Sequence, residues 1–162
     1  STLDRSSAAS DVYKRQDGCS APNHAFTLKG IAKAMAWFAD AKSRSDTSSK
    51  SAVRIIDAML RYPELVAGEG CACTELMRAA QGKVALKTGA EGFFVAIIPE
   101  KKMGVALKVL DGATRASECV IASILVGLGV LNPANPIVEK YLHPSILNWD
   151  GLKTGFIKPL IK

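Results

Sequence analysis

The chain has 162 residues, of which 48% are hydrophobic and 22% are charged, a composition typical of one globular domain. It contains no run of about 18 apolar residues, so no membrane-spanning helix is predicted. The net charge of +6 comes from lysines and arginines spread along the chain, which favours a solvated surface over a nucleic-acid-binding site. The four cysteines have spacings that indicate no disulfide framework, so a reduced, cytoplasmic setting is expected.

The first sixteen residues are rich in serine and aspartate and show no hydrophobic period. They end in Asp11-Val12-Tyr13-Lys14-Arg15-Gln16, which matches one reading frame of a transposon end used to prepare sequencing libraries. We therefore predict that 1–16 is a disordered, adaptor-derived leader, with a natural disordered tail as the alternative. Residues 17–162 would then form the domain, and the coding sequence is expected to continue upstream of Asp17.

Apolar residues at helical spacing predict four helices and a further short one towards the C-terminus. Their approximate ranges are 28–39, 47–62, 74–81, 114–128 and 136–142. Thr27 is the expected N-cap of the first helix, and Asp46 or Thr47 is the expected N-cap of the second. Pro63 should end or kink the second helix, because proline restricts the residue that precedes it.

Between the third and fourth helices the hydrophobic period changes to that of β-strands. Three strands are predicted over 83–88, 93–98 and 104–110. The short turns between them imply an antiparallel meander, so the expected fold class is α+β, with a three-stranded antiparallel sheet flanked by helices. After Gly129 the chain contains four prolines and is expected to be irregular outside 136–142.

Lys87-Thr88-Gly89 closes the first predicted strand. In penicillin-recognising enzymes a Lys-Thr-Gly at this place lines the active site, opposite a Ser-x-x-Lys nucleophile motif. A lysine there can point into a cleft, where partial burial lowers the pKa of an ammonium group and lets it polarise a carboxylate or accept a proton from a serine. The glycine would let the backbone approach a ligand closely. The alternative is an exposed strand-end lysine.

Two further matches to such motifs are weaker. Lys153-Thr154-Gly155 repeats the triplet in the predicted irregular tail, and we interpret it as a chance match. The sequence contains no Ser-x-x-Lys, and the nearest segment is Thr47-Ser48-Ser49-Lys50, at a predicted helix start. Capping explains these residues better than catalysis does. A complete Ser/Lys site is therefore not expected within these 162 residues.

The cysteines offer few metal sites. Cys19 lies in a loop framed by glycine and proline beside Asp17, where a thiolate could bind metal, but spacing alone favours a structural cysteine. Cys71 and Cys73 could chelate a soft metal, and Cys73 adjoins a helix N-terminus that could make it a reactive thiolate. Packing is the favoured interpretation for both. Cys119 is predicted to belong to the core.

Several segments together resemble the bacterial type II L-asparaginase family, whose known members include rhizobial enzymes. The matching segments are 17–23, 59–68, 74–77, 87–92, 104–108, 111–116 and 148–151. They are spread over nearly all of 17–162, so the resemblance covers the whole predicted domain. It identifies that domain with the C-terminal half of such an enzyme.

The resemblance implies a serine β-lactamase and glutaminase-like fold, of which this chain would hold a partial domain. It implies hydrolysis of L-asparagine to L-aspartate and ammonia through two Ser-Lys pairs, beside a zinc ion (Zn2+) held by two cysteines and a lysine. Lys87 would be the lysine of the second pair, and Thr88 and Gly89 would bind substrate. Cys19 would be a zinc ligand, with Asp17 beside the site. The serines and the other ligands would belong to the absent half.

We therefore expect an amidohydrolase that acts by acyl transfer, with a nucleophilic serine outside this chain. The chain alone should be inactive and prone to aggregate, because its apolar faces would lack their partners. The expected partners are a small amide substrate and, in the full-length protein, a second copy of the chain. The alternatives are a non-catalytic binding module of the same fold and another Ser/Lys hydrolase, such as a glutaminase.

Overall fold

A computed structural model describes residues 14–16, 20 and 22–160 of the chain. The helices are α1 (Leu28–Ala39), α2 (Thr47–Arg61), α3 (Pro63–Ala67), α4 (Ala72–Ala79), α5 (Thr114–Gly127) and α6 (Pro136–Leu142). The strands are β1 (Lys14–Gln16), β2 (Pro22–His24), β3 (Ala85–Gly89), β4 (Phe93–Ile98), β5 (Met103–Lys108), β6 (Ser145–Leu147) and β7 (Lys153–Phe156). The predicted site residues Asp17 and Cys19 lie outside the described residues.

The central feature is a three-stranded antiparallel sheet in the order β3-β4-β5, which confirms the predicted α+β class and meander. Alternate residues of a strand point to opposite faces, and helices cover both faces of this sheet. Leu86 and Phe94 are buried on the face that packs against α4, α5 and α6. Ala85 and Ile97 are buried on the other face, with Ile56 of α2. This packing fixes β3 in position from both sides.

Helix α1 lies unusually close to strand β5, and a glycine makes the approach feasible. A Cβ atom on Gly104 would lie 2.3 Å from both the Ala32 oxygen and the Ala36 nitrogen of α1. Any side chain at this position would therefore push the helix away from the sheet.

The helix starts follow the predicted capping residues. The Gly30 N–H donates to Thr27 Oγ1 at 3.0 Å at the start of α1. At the start of α2 the Ser49 N–H donates to Asp46 Oδ1 at 2.9 Å, and the Ser49 hydroxyl donates to Asp46 Oδ2 at 2.6 Å. These bonds confirm that the Thr47–Lys50 segment serves helix capping.

Helix α2 ends at Arg61, which confirms that Pro63 stops it. Three local features lie outside the predictions. A short helix, α3, begins at Pro63 itself, because proline is well accommodated in the first turn of a helix. The tail is not irregular, since β6 and β7 form an antiparallel hairpin. At the other end, Lys14–Gln16 of the predicted disordered leader form β1, which pairs with β2. The assignment of 1–16 to an adaptor stays a prediction.

Among the described residues, no helix has both the length and the apolar character needed to cross a bilayer.

Candidate functional site

Lys87-Thr88-Gly89 forms the last three residues of β3, which within the described residues pairs with β4 alone. The Lys87 side chain is exposed, and its Nζ donates to the Thr88 carbonyl at 2.8 Å. The expected partial burial of this lysine is therefore wrong for the described part of the chain. The physical reason is that the side chain curls back along its own strand and leaves the ammonium group facing solvent.

Thr88 is half-buried, and its backbone lies at the free edge of the sheet. The Thr88 N–H donates to Cys73 Sγ at 3.2 Å, and the Thr88 hydroxyl lies 3.3 Å from the Phe93 carbonyl oxygen, to which it donates. The backbone donor of the motif is thus engaged by α4 rather than left for a ligand.

Gly89 ends the strand opposite Phe93. A Cβ atom on Gly89 would lie 2.8 Å from Phe93 Cδ1. The sequence-based reason for a glycine here was close approach of a ligand to the backbone. The structure gives a second reason, because the aromatic ring of Phe93 already occupies the space that a side chain would need.

Cys73 is buried beneath the edge of β3. Burial raises the pKa of its thiol, with smaller opposing contributions from the Thr88 N–H and from Lys87. A protonated, buried thiol is not the reactive thiolate considered from its helix-terminal position, and packing is confirmed for this residue. Cys71, two residues earlier, is exposed, whereas Cys119 is buried and its Sγ donates to the Leu142 carbonyl at 3.4 Å. This confirms Cys119 as a core residue.

Next to Cys73 lies a polar cluster that sequence reasoning missed. Glu75 Oε2 accepts hydrogen bonds from Lys140 Nζ at 2.7 Å and from Tyr141 Oη at 2.5 Å, and these bonds hold the pKa of Glu75 below its ordinary value. Burial raises the pKa of the half-buried Glu118, and burial together with Glu75 strongly raises the pKa of Tyr141. Glu75 and Lys140 are 65 residues apart in the chain, so no local pattern indicates their contact.

The second triplet lies on β7, in the hairpin with β6. The Thr154 hydroxyl donates to the Ile146 carbonyl at 3.2 Å. Nothing lies nearer to a Cβ atom built on Gly155 than Ile146 Cδ1, at 3.8 Å. The strand placement was not expected, but the interpretation as a chance match stays a prediction.

A zinc site cannot be assembled from the residues that the structure describes. Within 14–16, 20 and 22–160, no group of three or more histidine, cysteine, aspartate or glutamate side chains is placed to hold a metal ion. Cys19, the predicted ligand, lies outside these residues.

The chain matches a known protein family over most of its length. The model of the L-asparaginase II family matches residues 4–159. This chain belongs to the L-asparaginase II family. The match includes most of the predicted leader, and at the family level it indicates a hydrolase that acts on asparagine. No curated protein matches the chain.

Proposed function

We propose that this chain is part of an amidohydrolase that converts L-asparagine to L-aspartate and ammonia by acyl transfer, in a serine β-lactamase and glutaminase-like fold. The observation that carries the proposal is Lys87-Thr88-Gly89 at the end of β3, an outer strand of the antiparallel sheet within the described residues, in a chain that belongs to the L-asparaginase II family. A sheet edge with a lysine triplet is where penicillin-recognising enzymes place substrate.

The nucleophilic serine is supplied from outside these 162 residues, because the sequence holds no Ser-x-x-Lys. When the segment that carries it covers the edge of β3, the Lys87 amine exchanges its bond to the Thr88 carbonyl for one to the serine hydroxyl. Such desolvation favours the neutral amine, which can then accept the serine proton.

The chemistry then takes two balanced steps. The serine oxygen bonds to the side-chain amide carbon of asparagine, and the C–N bond breaks as Lys87 returns the proton to the leaving nitrogen, which departs as ammonia. Water then attacks the acyl-serine ester and releases L-aspartate, regenerating the serine hydroxyl. Thr88 and Gly89 would contact the substrate at the strand edge. Asp17, which the family resemblance implies to lie beside the site, would bind the α-ammonium group of asparagine.

Cys19 is the residue of this chain that is proposed to bind zinc. Its thiolate would supply one ligand, and the other ligands would come from outside the chain. Metal analysis of the purified 162-residue chain should find no stoichiometric zinc, because one thiolate does not make a site. The completed enzyme, meaning this chain extended by its own upstream coding sequence, should bind zinc and lose it in Cys19→Ala. Retention of zinc by that variant would exclude Cys19 as a ligand.

The decisive experiment measures ammonia release from L-asparagine and L-glutamine by the 162-residue chain and by the completed enzyme. The chain alone should be inactive, and the completed enzyme should hydrolyse L-asparagine. Ammonia release by the chain alone would refute the proposal that the nucleophilic serine lies outside these 162 residues. Absence of Ser-x-x-Lys and of activity in the completed protein would support a binding module, and preference for L-glutamine would support a glutaminase.

We further propose a cytoplasmic protein that forms a homodimer when complete. The described cysteines Cys71, Cys73 and Cys119 are free thiols, which suits a reducing compartment. Thiol titration of protein purified without reductant and light scattering of the completed enzyme would test these two points. A disulfide in the first measurement, or a monomer in the second, would contradict them.

A further inference from the structure

The first turn of α4 contacts three different parts of the fold through three consecutive residues. Cys73 Sγ accepts the hydrogen bond from the Thr88 N–H of β3. Thr74 is fully buried, and its hydroxyl donates to the Gly68 carbonyl at 2.6 Å while lying 3.1 Å from the Pro63 carbonyl. Consecutive residues of a helix point in directions about 100° apart, so one turn can reach several neighbours.

Glu75 completes this turn on the side of α6. Its carboxylate is held by Lys140 and Tyr141, at 2.7 and 2.5 Å, in a partly buried setting where charged hydrogen bonds are strong. The turn is therefore fixed towards α3 by Thr74 and towards α6 by Glu75. A helix held in this way offers Cys73 as a rigid contact for the neighbouring strand.

Cys73 contacts Thr88, the residue between Lys87 and Gly89 in the triplet. The Thr88 N–H points away from β4, to the side where β3 has no partner strand among the described residues. A half-buried backbone donor without a partner is costly, and strand ends on sheet edges fray readily. The thiol therefore supplies the bond that a neighbouring strand would otherwise make.

We propose that Cys73 is a positioning residue that holds the Lys87-Thr88-Gly89 end of β3 in register through its hydrogen bond with the Thr88 N–H. The anchoring is independent of the chemistry, whereas its effect on catalysis rests on the proposed function. Because Lys87 directly precedes Thr88, a shift of the Thr88 backbone displaces the amine that must meet the serine.

The anchoring is tested in the 162-residue chain by amide hydrogen exchange at Thr88, with Cys73→Ala and Cys73→Ser as a matched pair. The two replacements have nearly the same volume, and only serine keeps an acceptor. A lost hydrogen bond worth about 1 kcal/mol should speed exchange at Thr88 by about fivefold in Cys73→Ala. Exchange should stay near the wild-type rate in Cys73→Ser and should be unchanged for the amides of β4 in both.

Two controls separate a lost hydrogen bond from a lost packing contact. Cys119→Ala removes another buried thiol, which bonds to the Leu142 carbonyl rather than to β3, so it should leave Thr88 exchange unchanged. Cys73→Val fills the space of the thiol but has no hydrogen-bond acceptor, so it should speed exchange at Thr88 as the loss of the bond in Cys73→Ala does. The valine variant keeps the test valid if the cavity left by alanine impairs folding. Equal exchange at Thr88 in the valine and serine variants, or wild-type exchange in the alanine variant, would overturn the anchoring.

The catalytic effect is tested in the completed enzyme. Cys73→Ala should lower kcat for L-asparagine about tenfold or more with little change in KM, and Cys73→Ser should restore most of it. Cys119→Ala should keep kcat even where it lowers the melting temperature. Full activity of Cys73→Ala would overturn the positioning role, whereas an inactive wild-type enzyme would refute the proposed function and leave the exchange result standing.

Discussion

The two Lys-Thr-Gly triplets show that a short motif takes its meaning from the packing behind it. Both lie on antiparallel strands, one on β3 and the other on β7. Leu86, directly before the first triplet, is fully buried, whereas Ile146 and Leu147 opposite the second are 47% and 58% exposed. The first triplet therefore belongs to a strand whose position is fixed by a core, and the second belongs to a hairpin whose side chains face solvent.

The backbone contacts of the two triplets differ in the same way. The amide of Thr88 is bonded to Cys73, fifteen residues earlier on a packed helix. The hydroxyls of Thr88 and Thr154 both bond within their own strand pairs, to Phe93 and Ile146, so the bond to a distant helix is what distinguishes the first triplet. Long-range contacts constrain geometry more strongly than a two-stranded hairpin can, because an isolated hairpin is only marginally stable in water.

The largest expected difference between the triplets is catalytic. In the completed enzyme, Lys87→Ala should reduce ammonia release from L-asparagine by about 10²–10⁴-fold, because it removes the group that transfers the serine proton. Lys153→Ala, the matched change on β7, should leave the rate unchanged. A comparable loss from both variants would show that the second triplet is not a chance match.

Stability should separate the two strands next. Leu86→Ala removes a fully buried side chain and should lower the free energy of unfolding by about 2–5 kcal/mol. Ile146→Ala changes a half-exposed side chain of the hairpin and should cost less than about 0.5 kcal/mol. Urea denaturation of the two variants measures both values. A large loss for Ile146→Ala would mean that the hairpin is covered in solution.

Replacing the glycine of each triplet should give a smaller difference in stability, again with the larger loss at the first triplet. Gly89→Ala places a Cβ atom 2.8 Å from Phe93 Cδ1, so the partly exposed ring must leave its preferred rotamer, at a cost of about 0.5–1.5 kcal/mol. At Gly155 the nearest atom is 3.8 Å away, an ordinary contact, so Gly155→Ala should be close to neutral. Melting temperatures of the two variants test this difference, and equal shifts would contradict it.

The smallest expected effect concerns the pH dependence of stability that comes from Glu118 of α5, a helix that packs against the sheet. Burial raises the pKa of Glu118 in the folded protein, so the stability associated with its neutral form is present below the unfolded pKa and is lost as pH rises through the folded pKa. Glu118→Gln should therefore raise stability at pH 7, by less than about 1 kcal/mol because the group is partly solvated, and should have no effect near pH 3. Glu100→Gln, at an exposed position, serves as the control and should leave stability unchanged at both pH values. A gain in stability from Glu118→Gln near pH 3 as well as at pH 7 would show that the charge of Glu118 is not its cause.

Local patterns predicted much of this fold, because the signals that set helix starts and strands are short in sequence. Thr27 and Asp46 cap helices as expected, and Phe93–Ile98 and Pro136–Leu142 have the predicted bounds. The hairpin after α6 does not follow from the local pattern, because Pro144 and Pro159 flank it and favour irregular structure. Its turn around Gly151, where φ is positive, is the signal that could have revealed it.

The candidate site was only partly predictable for a different reason. The Lys87 triplet can be recognised from three letters and a strand, while its role in binding and catalysis stays a prediction. The bond from Thr88 to Cys73 and the contacts of Glu75 with α6 depend on how helices pack, which spacing does not encode. Exposure of Lys87 likewise depends on what covers the strand edge, so the expected burial could not be derived from the triplet.

The exposed hairpin also gives the protein a fluorescent probe of its own. Trp149 lies at the hairpin turn with its indole fully accessible to solvent, and the chain contains only one other tryptophan, Trp37, which lies under the Arg44 guanidinium. In a Trp37→Phe background, emission would therefore report on Trp149 alone. Iodide quenching of that emission would decrease, and its wavelength would shift to the blue, whenever another polypeptide segment covered the hairpin.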